Sequence, residues 1–274
     1  NDSFTFSADR YNIEGAGFAD ETAAITMQLS DRFNNPVPDG TVVSFTTEGG
    51  SIKGDQDSAQ GTTGSCITAN CVCNATLTST NPKPDDGRVT VLAYVQGEES
   101  FFDVNGNKVF DQGDLIGVGS SQNASEVPTF MATAGIADVG EPYLDTNVDD
   151  GSAFIANTDQ FVDINNNGSR DAGDGAYTGQ LCSSDLMARG FCNRGFVNLF
   201  QAQMEFVFTG LNRQPVQVWN SASNTWTSAT SVNVATEPAY IRFMPSYLAK
   251  DGVTINPAPE GSTMKATTDN GGKI

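Results

Sequence analysis

Two twelve-residue stretches of this chain repeat one another, and they constrain what it can fold into more than any other feature. Asp103-Val-Asn105-Gly-Asn107-Lys-Val109-Phe-Asp111-Gln-Gly-Asp114 recurs as Asp163-Ile-Asn165-Asn-Asn167-Gly-Ser169-Arg-Asp171-Ala-Gly-Asp174, with identity at positions 1, 3, 5, 9, 11 and 12. Oxygen-bearing side chains at 1, 3, 5, 9 and 12, with a main-chain carbonyl at position 7 (Val109, Ser169), are what a short loop needs to wrap a hard cation such as Ca2+. The Asp-Asn-Gly runs also suit ordinary turns. Repetition at ligand spacing favours metal.

The loops depart from the EF-hand pattern in two ways. Position 12 is Asp114 or Asp174 rather than Glu, which shortens bidentate reach and admits Mg2+. Position 6 is the expected glycine in the second loop (Gly168) but Lys108 in the first. No amphipathic helical pattern flanks either, so both resemble the helix-poor calcium loops of dockerins and bacterial surface proteins. A degraded third copy, Asp145-Thr-Asn147-Val-Asp149, lies between them, with Asp159 expected to close it. Each copy has an acid four residues before position 1 (Glu99, Glu141, Asp159) and an aromatic two residues before it (Phe101, Tyr143, Phe161). The aromatics are expected to anchor the loops on one shared apolar surface. Two or three bound ions follow.

Charge agrees with this reading. Residues 98–174 hold fifteen acids against two bases, a net of −13 out of −19 for the chain. Such a segment repels itself unless a cation neutralises it or water solvates it as a plain acidic linker. The acidic balance argues against nucleic acid as a partner. No apolar run approaches the ~20 residues needed to span a bilayer. Histidine is absent, which removes the commonest general base and metal ligand. A chain opening on Asn1-Asp2 reads as a processed product or a fragment.

Five cysteines fall in two groups. Cys182 and Cys192 close a short loop and are expected to pair. If Cys66, Cys71 and Cys73 sit on a hairpin, Cys66–Cys73 is the easiest bridge and leaves Cys71 over; a redox or metal role for Cys71-Val-Cys73 is the alternative. Disulfides with calcium loops point outside the cytoplasm, to an extracellular or cell-surface protein.

Almost everything else reads as strand and turn. Ala24–Leu29, Val42–Phe45, Arg88–Val95, Phe196–Phe208, Val216–Trp219 and Tyr240–Phe243 are candidate strands, separated by Pro- and Gly-bearing turns at sandwich-like intervals. Only Ser184–Arg189 suits a short helix. Residues 35–52 recur at 256–274 with nine of eighteen positions identical once Asn270 is set aside. The resulting expectation is an all-β protein with a sandwich at 1–97, an acidic calcium-loop segment at 98–180 and a second sandwich at 181–274, incomplete or completed by another chain.

Asp31-x4-Pro36-x-Pro38-x-Gly40-Thr41, then Phe45, Gly49-Gly50 and Asp86-Gly87-Arg-Val-Thr-Val-Leu-Ala93 resembles the bacterial immunoglobulin-like domain of invasin and intimin type. The likeness covers 4–97 well and 220–274 more weakly. It implies a β-sandwich, export to the cell surface, neighbouring domains in a tandem adhesin or stalk, and no catalytic residues. Three functional readings follow: a structural or adhesive surface protein, a filament subunit that self-associates through sheet edges or exchanged strands, and a two-carboxylate glycosidase. The third is disfavoured because the acids fall at ligand spacing. Trp219 and Trp226 suit a sugar-stacking platform or, more simply, hairpin packing.

Overall fold

A computed structural model describes residues 3–31, 33–115, 136, 138–146, 154–196, 198–210, 212–228 and 240–265. The chain is almost all β. Eight strands come first: β1 (Ser3–Ala8), β2 (Asn12–Ile13), β3 (Thr22–Ser30), β4 (Val42–Thr47), β5 (Ser51–Gly54), β6 (Thr63–Ile67), β7 (Val72–Thr78) and β8 (Arg88–Gly97). The acidic segment contributes β9 (Tyr143–Leu144), β10 (Gln160–Phe161) and β11 (Tyr177–Thr178), then helix α1 (Ser184–Ala188) and β12 (Cys192–Asn193). After it run β13 (Asn198–Phe208), β14 (Asn212–Arg213), β15 (Gln217–Asn220), β16 (Thr225–Ser228), β17 (Ile241–Arg242), β18 (Ser246–Leu248) and β19 (Ile255–Pro257).

Two sheets, in the orders β1-β3-β7-β5 and β2-β13-β8-β4-β6, form the sandwich. Alternation sets its inner face. In β3 the buried residues are Ala23, Ile25, Met27 and Leu29, and β8 turns Val89, Val91, Ala93 and Val95 inward to meet Phe45, Leu77, Phe206 and Phe208. β5 and β6 belong to different sheets and approach closely at Gly54, where a Cβ would lie 1.7 Å from the Ser65 carbonyl oxygen. Only glycine fits there.

The expected boundaries give way at one place. β13, from beyond the acidic segment, runs antiparallel to β8 from Asn198↔Gly97 to Val207↔Arg88. The first sandwich is therefore not confined to 1–97; it takes a strand from the stretch assigned to a second sandwich. Without β13 the buried strand β8 would face solvent with one row of unpaired N–H and C=O groups. Residues 98–197 are thus an insertion between two paired strands. The insertion folds back on the sheet: β9 lies against the outer face of β8, where Leu92 and Leu144 are both fully buried.

Cys66 in β6 and Cys73 in β7 are bonded, as are Cys182 and Cys192, while Cys71 is a free thiol. Cys66 and Cys73 do not bridge a simple hairpin. The chain crosses from one sheet to the other at Asn70 and Cys71, both at positive φ, so the bond ties the two layers together. Beyond β13 the chain forms two three-stranded sheets, β14-β18-β19 and β16-β15-β17. Among the described residues of 212–265, no apolar side chain is fully buried. The repeated motif keeps its turn in both copies: Thr41 N–H donates to the Pro38 carbonyl and Ser262 N–H to the Pro259 carbonyl, with Gly40 and Gly261 at φ 91° and 81°. The later turn docks on the sandwich, where Asn12 Nδ2 donates to the Pro257 and Ala258 carbonyls. The rest of that copy, 266–274, lies outside the described residues. Among the described residues no helix is long and apolar enough to cross a membrane.

Candidate metal centre

Each outer loop is shaped by its own short polar side chains. In the first, Asp103 accepts the N–H groups of Gly106 and Lys108 at 2.8 Å each. Asn105 Oδ1 accepts from Asn107 N–H and Asn107 Oδ1 from Val109 N–H, the Asx-turn pattern that lets Asp and Asn fold a loop around themselves. The amides of Asn105 and Asn107 both reach Asp111, at 3.0 and 2.7 Å, so the side chains of positions 3, 5 and 9 converge. Asp114, fully buried, closes the loop: its carboxylate accepts Val104 N–H with one oxygen and Asp111 N–H with the other. Asp111 in turn caps the short 3-10 turn Gln112–Asp114. Phe110 is fixed by main-chain bonds to Leu181 and Ser183.

The second loop repeats this arrangement nearly atom for atom. Asp163 accepts Asn167 and Gly168 N–H, Asn165 accepts Asn167 N–H, Asn167 accepts Ser169 N–H, and both amides donate to Asp171. The backbone agrees as well. Positions 4 and 6 are left-handed in both, at Gly106 and Lys108 in one and Asn166 and Gly168 in the other. At position 7, Val109 can offer a hard cation only its main-chain carbonyl, whereas Ser169 has both its carbonyl and its hydroxyl.

Position 12 is where the loops part. Asp174 does not close the second loop; its carboxylate accepts Ala176 N–H instead. Glu141 takes that place, accepting Ile164 N–H at 2.8 Å and Asp171 N–H at 3.0 Å. Ile164 and Asp171 are positions 2 and 9, the same two that Asp114 brackets in the first loop. Asp159 brackets the middle copy in the same manner, through Thr146 and Ile155 N–H. Asp145 is fully buried there, and its own N–H donates to Gln203 of β13. Asn147 and Asp149 lie outside the described residues. Glu99 makes a fourth bracket, between Val139 and Thr178 N–H. Burial raises its carboxyl to about 7, and the nearby charges of Asp138 and Asp174 push the same way.

The donor set suits a hard cation in composition. Among the described residues no three acidic or thiol side chains are gathered closely enough to hold an ion alone. What converges in each outer loop is a mixed set of carboxylates and carboxamides, oxygen ligands that Ca2+ accepts and thiophilic metals do not. Bound there, calcium would supply positive charge to the most acidic third of the chain. No protein-family model matches the sequence, and neither a curated protein nor a solved structure matches it.

The lead-in aromatics do not share one surface. Phe101 packs with Phe110 and Tyr177 in a small core that includes the Cys182–Cys192 pair, Leu186 and Phe191. Tyr143 and Phe161 instead meet Phe154, with Arg170 stacked over Tyr143. The split follows from β9 and β10 pairing with each other through Tyr143 and Phe161. In the sequence Glu141 stands out only as the acid four residues before Asp145. Its sequence distance from the loop it closes hid its place. Trp219 and Trp226 face each other edge-on across β15 and β16 at 5.4 Å, which is hairpin packing.

Proposed function

We propose that this chain is a non-catalytic structural or adhesive protein of the bacterial cell surface, in which an immunoglobulin-like sandwich of invasin and intimin type carries a calcium-stiffened insertion. The observation that carries the reading is the shared geometry of the outer loops: the same Asp and Asn side chains at positions 1, 3, 5 and 9, the same two left-handed positions and the same convergence on Asp111 or Asp171. Two disulfides accord with an oxidising, extracellular setting. Extracellular calcium modules bind in the range of roughly 0.1–1 mM, so outside fluid keeps such sites filled. A site at ten times its Kd stabilises the bound form by about 1.4 kcal/mol. The partners are neighbouring domains of a longer surface protein. Thermal unfolding and limited proteolysis with calcium and with excess chelator test the idea. Melting temperature and resistance are expected to fall together on chelation, and unchanged values refute it.

A filament subunit is the second reading. Tyr240, Ile241, Val253, Ile255 and Met264 are exposed around short strands that bury no apolar core of their own among the described residues. Such edges accept a strand from another molecule. Long regular fibres under the electron microscope favour this reading; monodisperse single particles favour the first.

A further inference from the structure

Resting on the calcium reading, we infer that Glu141, and not Asp174, supplies the closing carboxylate of the second cation site. That site is then assembled from two separate chain segments, and its occupancy clamps the insertion to the sandwich.

Two independent observations meet here. The first is the repeat itself: loops that differ at six of twelve positions keep the same Asp or Asn at positions 1, 3, 5, 9 and 12. The second is the substitution in space. Glu141 makes to Ile164 and Asp171 the pair of bonds that Asp114 makes to Val104 and Asp111, while Asp174 turns to Ala176. Glu carries one methylene more than Asp, which lets it reach across from another segment and restores the long bidentate carboxylate that suits Ca2+ over Mg2+.

Glu141 is well held for this role. Its N–H donates to the Asp171 carbonyl at 2.9 Å, and Arg170 Nε donates to the Glu141 carbonyl at 2.9 Å. Two and four residues on, Tyr143 N–H donates to Gln201 and Asp145 N–H to Gln203, both on β13. A cation drawing Glu141 onto Asp163 and Asp171 therefore fixes β9, and through β9 the face of the sandwich. The first loop, closed from within by Asp114, has no such link through its closing residue.

Calcium alone, titrated into the full chain by calorimetry, with hydrogen exchange as the second readout, tests this. Glu141→Gln is expected to weaken one site by roughly 10-fold to 100-fold while Asp174→Asn leaves every site unchanged. Calcium is expected to slow exchange at 143–145 in the wild type and not in Glu141→Gln, with the far-UV spectrum of both unchanged. Loss of a site in Asp174→Asn with none lost in Glu141→Gln overturns the inference and leaves the calcium reading standing. If the wild type and Asp163→Asn bind no calcium alike, the calcium reading itself fails, and the inference with it.

Discussion

Gly97 and Asn198 are paired neighbours at the end of the β8–β13 ladder, although the whole acidic segment lies between them in the chain. The sandwich and the insertion are joined at one point of a finished sheet. Replacing 98–197 by a short hairpin turn should therefore leave a folded domain. A cooperative melt with a β-type far-UV spectrum is the expected result, at somewhat reduced stability because Leu92 loses its cover. A chain without tertiary structure would mean the insertion is needed to build the sheet.

Lys108 sits at φ 62°, where Gly168 stands in the other loop. A side chain in that region costs about 1 kcal/mol relative to glycine. Lys108→Gly should stabilise its loop by about that much, less roughly 0.5 kcal/mol for the lost stacking on Phe33. Gly168→Ala should cost about 1 kcal/mol through φ alone, since an added Cβ meets nothing within 4 Å. Local opening energies from hydrogen exchange measure both, and two silent variants would contradict the assigned backbone.

The two disulfides should act on different units. Replacing Cys66 and Cys73 by alanine unties the layers of the sandwich and should lower its unfolding free energy by about 2.5 kcal/mol, the loop-closure value for so short a ring. Replacing Cys182 and Cys192 should loosen the small core around Phe110, Leu186 and Phe191 and leave the sandwich melt in place. One shared loss for both pairs in denaturant titrations would contradict this division.

Glu48 gives the metal-free sandwich a pH dependence. Burial raises its carboxyl to about 7, aided by the charges of Asp86 and Glu205, although Thr90 N–H donates to it. In the unfolded chain the same group titrates near 4.3. The folded state therefore binds the proton more tightly, and stability falls as pH rises from about 4.5 to about 7. Glu48→Gln should flatten that decline and raise stability at pH 8. An unaltered pH profile would rule the assignment out.

Ala24–Leu29 was legible because one buried face imposes a period of two; in Arg88–Val95 the inward set was legible in the same way, but not the burial of Thr90 and Leu92 on the opposite face. Ser184–Arg189 was legible as the short helix for want of such a pattern. The loops were legible because Asp, Asn and Gly make turns by local bonds, which sequence spacing fixes. Three things were not. The pairing of β13 with β8 closes a very long loop, and no local signal says which strand an edge recruits. The exchange of Asp174 for Glu141 depends on how β9 meets Asp171, a tertiary fact. The two aromatic clusters depend on the pairing of β9 with β10 in the same way.

Bound calcium, counted per chain after equilibrium dialysis against millimolar calcium, bears most directly on the account. At least two ions are predicted for the wild type, from the loops at Asp103 and Asp163, and fewer for each of Asp103→Asn and Asp163→Asn. A wild-type chain that emerges with no bound calcium, or one whose count is untouched by both substitutions, contradicts it.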